Sequence, residues 1–430
     1  MDSRKIVKDL HSSLQNENLK REHLISLKDI ANIQKQFHIP SCNNGFTFGD
    51  DIVSVRAWVN SMKEKNCVLL YKEQGDQHET LPKEDFMLVI MDPMQQHMLS
   101  TFGCDRVCVD STFGLTGYGF ELVSIIVIDK FEEGFPAAFC CCSSVNINTM
   151  TEFFKCLKQK VSIISTKTFM SDDTPIFYKA WEKIFGIADK RLLCAWHVDR
   201  AWQGHINSIR DVEKQKNIYK ALKSALYELN ESIFKNMLNC LLDELEEDKE
   251  TKDFATYLQK YYVPRTEQWA YCFRKQSRIN TNMHVESFHK IIKHIYLEGK
   301  KTKRVDKCID ALLSYLTDKK IDRLTKMHKG KITSKISNIS RRHKDAKFLQ
   351  PEKIDDRVFK FESSSLSRSY YVKKNSEHDC NEHCLKMCRK CNICIQAYTC
   401  ECIDFNIQYN LCKHIHSAVM NNRNETVYSG

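Results

Sequence analysis

The sequence predicts an α/β protein with a mixed sheet, a large helical insertion, and a small cysteine-rich module at the C-terminus. Three observations predict it. Within residues 104–200, three β-rich runs separated by short Gly-containing segments lead into alternating helical and strand-like segments. Residues 200–280 carry no strand signal and are helical in composition. Eight of the 20 cysteines lie between Cys380 and Cys412. The opening residues, MDSRKIVKDLHSSLQ, hold no apolar segment of secretory type, so reduced thiols and metal ligation are expected.

Residues 1–50 are polar and weakly helical, with an amphipathic segment at 19–37. Residues 51–103 read as a small α/β lead-in: helix IVSVRAWVNSMK, strands VLLYKE and FMLVIM, helix QQHMLSTF. VCVDST, FELVSIIVID and FPAAFCCCSS then read as three antiparallel strands joined by tight turns through GLTGYG and KFEEG. A helix starts at Thr149 (TMTEFFKCLKQKV), and an apolar strand, FMSD, ends at Asp172. The next helix opens at Pro175, with Asp or Thr at the cap, and RLLCAWHV reads as a further strand. Three antiparallel strands followed by helix, strand, helix, strand is the connectivity of an RNase H-like sheet. After the insertion, TNMHVESFHKIIKHIYLEG predicts an amphipathic helix. Phe288, Ile291, Ile292 and Ile295 share its apolar face, with Glu286, Lys290 and Lys293 off it.

The longest apolar run, residues 120–128, is interrupted by Glu121 and Ser124 and is too short to span a bilayer. The chain of 430 residues has a net charge of +10, and residues 300–350 alone hold 16 Lys/Arg against 5 Asp/Glu. Such a stretch suits a phosphate backbone, and it equally suits a solvated helix face with a linker. The acidic run DELEEDKETKD reads as a solvated helix end.

Asp110 and Asp172 end predicted strands, and Glu286 lies on the helix after the insertion. Carboxylates meeting at strand ends suit Mg²⁺ or Mn²⁺, whose two-ion form drives in-line displacement at phosphorus. Carboxylates at strand ends also serve as helix caps, and Asp172 beside Asp173 before Pro175 is placed for that. The residues alone leave both open.

The blocks VCVDSTFGLTGYGFELVSIIVIDKFEEGFPAAFCCC, FMSDDTPIFYKAW, LLCAWHVDRAW and TNMHVESFHKIIK, in that order, resemble the catalytic domain of Mutator-like element (MULE) transposases over residues 85–300. That resemblance implies an RNase H-like fold with a DDE triad at Asp110, Asp172 and Glu286. Asp172 is preferred to Asp173 because its distance to Ala180 matches the family's spacing. Cys194 and His197 match the family's CxxH motif; from the residues alone they are a packing pair, a positioning pair for the insertion, or a substrate contact. One departure stands out: members usually begin with a zinc-binding DNA-recognition module, whereas residues 1–100 carry only Cys42 and Cys67.

Cys400, Cys402, Cys412 and His414 form C-x-C-x9-C-x-H, two close ligand pairs across a short loop, as tetrahedral zinc requires. The spacing resembles the SWIM zinc finger, a frequent companion of MULE catalytic domains, and favours His414 over His416. Cys384, Cys388, Cys391 and Cys394 have spacings that permit a second zinc or place thiols on successive helical turns. Residues 301–375 read as a basic region, helical or linker, and residues 376–420 as the zinc module. Together the resemblances imply a nuclear, DNA-acting transposase that self-associates when active and contacts DNA or protein through the zinc module. The alternative is a transposase-derived DNA-binding or protein-interaction zinc protein without turnover.

Overall fold

The computed structural model describes residues 50–63, 66–275, 277–299, 304–329, 334–363, 369–375, 387–388, 390–407 and 409–427, with scattered positions before residue 34. Helix α1 (Asp51–Lys63), strands β1 (Val68–Lys72) and β2 (Met87–Ile90) and helix α2 (Pro93–Phe102) come first. Helix α2 starts behind a reciprocal cap, in which the Asp92 carboxylate accepts from the Gln95 amide and the Gln95 side chain accepts from that of Asp92. An antiparallel meander follows in β3 (Arg106–Thr112), β4 (Glu121–Ile128) and β5 (Gly134–Cys142). Beyond it, α3 (Ile147–Val161) and α4 (Pro175–Phe185) alternate with β6 (Thr168–Ser171) and β7 (Lys190–Leu193), which extend the sheet in parallel from β3.

The sheet is mixed, with strand order β1-β2-β5-β4-β3-β6-β7. Strand β2 pairs with β5, so the lead-in segment is the edge of this sheet rather than a prelude to it. Near-continuous apolar strands are buried on both faces, as β4 and β5 are here. On one face Phe154, Trp181 and Phe185 form an aromatic layer, with Trp181 and Phe185 stacked at 4.3 Å. Cys108, Cys140, Cys141 and Cys142 are buried in the same core, where burial pushes the Cys108 thiol up to about 12. They pack as small apolar groups.

Strand β7 stops at Leu193, short of the predicted RLLCAWHV run. Cys194 instead occupies the N-cap of α5 (Ala195–Ile206), its carbonyl accepting from Val198. The carbonyl of Leu193 is taken by the buried Arg274 guanidinium, which closes the strand end to further pairing. The insertion continues as α6 (Val212–Tyr227), α7 (Glu231–Glu247) and α8 (Lys252–Tyr261) around its own core. Trp269 is fully buried there, edge-on to Trp202 at 5.1 Å and to Phe234 at 5.4 Å.

Helix α9 (Met283–Ile291) crosses the sheet and runs into a π-helical turn at Ile292–Tyr296. That turn corrects the predicted apolar face. Val285, Phe288 and Ile292 are buried as the 3.6-residue period requires, but the wider turn shifts the register by one, leaving Ile295 57% exposed and Tyr296 buried.

Among its described residues the basic stretch is largely helical. Its first half, α10 (Val305–Lys329), buries Cys308, Ile309, Leu312 and Leu316 against the sheet domain, and its Arg323 makes a buried ion pair with Asp129. The second half, α11 (Ser334–Asp345), packs in the C-terminal module. That module also contains β8 (Glu352–Lys353), β9 (Val358–Glu362), β10 (Ser369–Lys374), β11 (Met387–Cys388), β12 (Ile393–Cys394), β13 (Tyr398–Cys400), α12 (Ile403–Asn406) and α13 (Lys413–Val427). Four of its strands form a second sheet in the order β13-β10-β9-β8. None of the described helices is long and apolar enough to cross a membrane.

Candidate functional site

Strands β3 and β6 are parallel neighbours, with Arg106 opposite Thr168 and Cys108 opposite Met170. Continuing that register brings Asp110 level with Asp172, just beyond the end of β6, on strands about 4.8 Å apart. Asp110 is 6% exposed, and its carboxyl is pushed up to about 8, first by burial, then by the charge of Asp172 and to a smaller degree that of Glu286. Burial likewise raises Asp172 to about 6, opposed by a hydrogen bond from the Thr174 amide and assisted by Asp173 and Glu121. Helix α4 is capped by the Thr174 hydroxyl, so Asp172 is not required as its cap. Asp173 is engaged elsewhere: Tyr262 donates to it at 2.6 Å and Arg265 pairs with it at 2.5 Å, tying the insertion to the end of β6.

Glu286 reaches this region because the start of α9 is fastened to the sheet. The Asn282 side chain donates to the Val109 carbonyl at 3.2 Å, and its backbone amide donates to Cys194 Sγ at 3.2 Å. One turn on, Phe288 stacks on Phe139 and His289 meets Ser124 at 3.0 Å. The tight set that Glu286 joins contains Cys194 and His197, with all ligand atoms within 4.8 Å of one another. Cys194 Sγ lies 3.8 Å and His197 Nδ1 4.0 Å from Glu286 Oε1. Burial raises both Glu286 and the Cys194 thiol and lowers His197. Of the three roles open to the CxxH pair, the geometry favours positioning. Cys194 joins the end of β7, the start of the insertion and the start of α9. Sequence reasoning missed Glu121, a further carboxylate whose charge acts on Asp172; it was legible only as the polar break in an apolar strand.

In the C-terminal module, Cys400 ends β13, Cys402 caps α12, Cys412 precedes α13 and His414 lies in its first turn. All four are buried, and their ligand atoms lie within 4.8 Å of one another. Pairing of Cys400 with Val372 and hydrogen bonds from Asn406 to the Cys400 and Cys402 carbonyls, at 2.8 and 3.2 Å, hold the first pair. The His414 ring is wedged between Phe361 and Tyr370. Hydrogen bonds from Cys400 and Cys412 hold the Cys402 thiol well below its ordinary range. Three sulfurs and one imidazole nitrogen, buried together, are compatible with a zinc site.

The upstream cysteines divide differently from the predicted set. Cys384 lies outside the described residues. In the β11–β12 hairpin Cys388 is opposite Ile393 and Cys394 opposite Met387, so the alternation of side chains sends Cys388 and Cys394 to opposite faces. Cys388 and Cys391 instead meet His343 of α11 and His416 of α13, in a second buried group with all ligand atoms within 4.8 Å. His416 was visible as a rival to His414. Two positions along a helix are about 200° apart around its axis, so the two histidines face different clusters. His343 was hidden in a segment read by its charge.

No protein-family model matches the sequence, and comparison with curated proteins finds no match.

Proposed function

We propose that the chain is a Mutator-like DDE transposase or a protein derived from one, acting in the nucleus on DNA phosphodiester bonds, with an RNase H-like sheet and a SWIM-type zinc module. One observation carries this reading: Asp110, near the end of β3, and Asp172, just beyond the end of the adjacent parallel β6, share a register level, and the charge of Glu286 is felt at Asp110. Ligands collect at strand ends of open α/β sheets. Crowded, desolvated carboxylates are acceptor-only hard-oxygen donors, the set that suits Mg²⁺ or Mn²⁺. Such ions, when bound, would stabilise the attacking and leaving oxygens of an in-line displacement at phosphorus.

The chain's own residues supply the rest. Asp110 and Asp172 would hold the ions, and Glu286 would complete the set from α9, moving from its contact with Cys194 and His197. Lys293, which donates to Thr112 at 2.5 Å beside the end of β3, is placed to meet a phosphate. The test is nicking of DNA that carries terminal inverted repeats, with Mg²⁺ or Mn²⁺ present. Asp110→Asn is expected to lower the rate at least about 100-fold, the scale of losing an electrostatic group that acts in the transition state. Undiminished nicking by that variant would remove the triad assignment.

A second reading is favoured by the placement of Glu286 against Cys194 and His197 rather than against the two aspartates. In it the chain binds DNA or protein without turnover. It predicts salt-sensitive DNA binding, no nicking with either ion, and no effect of Asp172→Asn on affinity.

A further inference from the structure

The second buried group of the C-terminal module joins three segments far apart in sequence. His343 comes from the basic helix α11, Cys388 and Cys391 from the β11–β12 hairpin, and His416 from α13. His343 Nδ1 lies 3.0 Å from Cys391 Sγ and 3.7 Å from Cys388 Sγ, and His416 Nδ1 lies 3.3 Å from Cys391 Sγ. Zinc bonds of about 2.3 Å to sulfur and 2.0–2.1 Å to nitrogen, at tetrahedral angles, set sulfur and nitrogen about 3.6 Å apart. The observed separations scatter around that value. The two rings meet edge to face at 84°, and their Nδ1 atoms both approach Cys391 Sγ.

We infer that His343, Cys388, Cys391 and His416 bind a second structural zinc ion, distinct from the one suited to Cys400, Cys402, Cys412 and His414. Two thiolates and two neutral imidazoles at tetrahedral spacing are a zinc donor set, and the thiols release their protons on binding. Among the described residues no carboxylate belongs to this group, so hard cations find no oxygen ligand in it.

The site has a consequence for the basic stretch. Around it α11 turns Ile339 and His343 inward and leaves Arg341 and Lys344 on the surface, and the 3-10 turn that follows buries Ala346 and exposes Lys347. Arg342 is pinned to Asp404 at 2.6 Å. Half of the basic stretch is therefore carried as a fixed face of a zinc module. Closing this long loop with a metal restricts the unfolded chain modestly more than the short Cys400–His414 loop does. The ion clamps α11 onto α13.

This assignment stands apart from the nuclease reading, because metal content and nicking are measured separately. The experiment is elemental analysis of the full chain purified without added chelator. Two zinc ions per chain are expected in the wild type, Cys384→Ser and Cys394→Ser, and one in His343→Ala and Cys400→Ser. His343→Cys, which keeps a ligand at that position, is expected to retain two. After cobalt substitution it should show stronger near-ultraviolet thiolate-to-metal absorption than the wild type, from its added sulfur. If His343→Ala does not fold, the cysteine variant decides: one ion, or unchanged cobalt absorption, overturns the assignment. A single zinc in the wild type also overturns it, as does loss of an ion from Cys394→Ser while His343→Ala keeps two.

Discussion

The sheet domain and the C-terminal module assemble chemically reactive side chains in opposite ways. Around the sheet, a large apolar core holds the elements that carry Asp110, Asp172 and Glu286. In the C-terminal module the reactive side chains are a large part of the core itself: Cys388, Cys391, Cys400, Cys402 and Cys412 pack among Phe359, Phe361, Val372, Leu411 and Ile415. Burial accordingly works against the carboxylates, whose ionised forms it disfavours, whereas the thiols and imidazoles suit a metal once the thiols release their protons on binding. A site attached to a finished core can be changed without unfolding it, whereas a site that makes up the core cannot.

The largest expected effect is a separation of the two regions by chelation. Metal binding contributes about 10–16 kcal/mol in small zinc modules, whose apolar cores are insufficient alone. Treating the full chain with a strong zinc chelator should therefore abolish amide-exchange protection over residues 387–427 while β3, β4 and β5 stay protected. Equal loss in both regions, or in neither, would break the contrast.

A smaller effect follows from the burial of Asp110. Its folded-state value near 8 stands above the ordinary value near 4, so the fold favours the protonated form. That contribution is full below about pH 4 and is lost as pH rises through about 8. Asp110→Asn should match the wild type at pH 4 and exceed it at pH 9 by on the order of 5 kcal/mol, measured by urea unfolding with divalent ions removed. Added Mg²⁺ should raise the wild-type midpoint at pH 9 and leave that of the variant unchanged. A variant no more stable than the wild type at pH 9 would remove the electrostatic strain assigned to the cleft.

The smallest effect tests the π-helical turn. Ile295→Ser, at an exposed position, is expected to change stability by less than about 0.5 kcal/mol, whereas Ile292→Ala, in the core, should cost about 2–5 kcal/mol. A costly Ile295→Ser would restore the uninterrupted 3.6-residue face.

Much of the sheet domain was legible because its signals are local. Alternation and apolar runs marked β3, β4 and β5, and Pro175 behind Thr174 marked the start of α4. The CxC and CxH pairs were legible because each edge of the ligand tetrahedron is a short sequence spacing. The misread places are those where a distant group intervenes. Arg274, from the far end of the insertion, takes the Leu193 carbonyl where β7 ends; charge counting hid the apolar side of α10 and the inward face of α11.

The sequence by itself determined most strands and helices of the sheet domain, that the insertion is helical, and that Cys400, Cys402, Cys412 and His414 form one group able to hold a metal. Periodicity and short spacing are properties of neighbouring residues, and neighbours in sequence are neighbours in space over a turn or a strand. Tertiary structure alone decided that the lead-in strands close the sheet edge, that Asp110 and Asp172 share a level, and that Cys388 and Cys391 meet His343 and His416 rather than Cys394. Those outcomes depend on strand register and on the face each side chain takes, which are set by packing between segments that no local pattern connects.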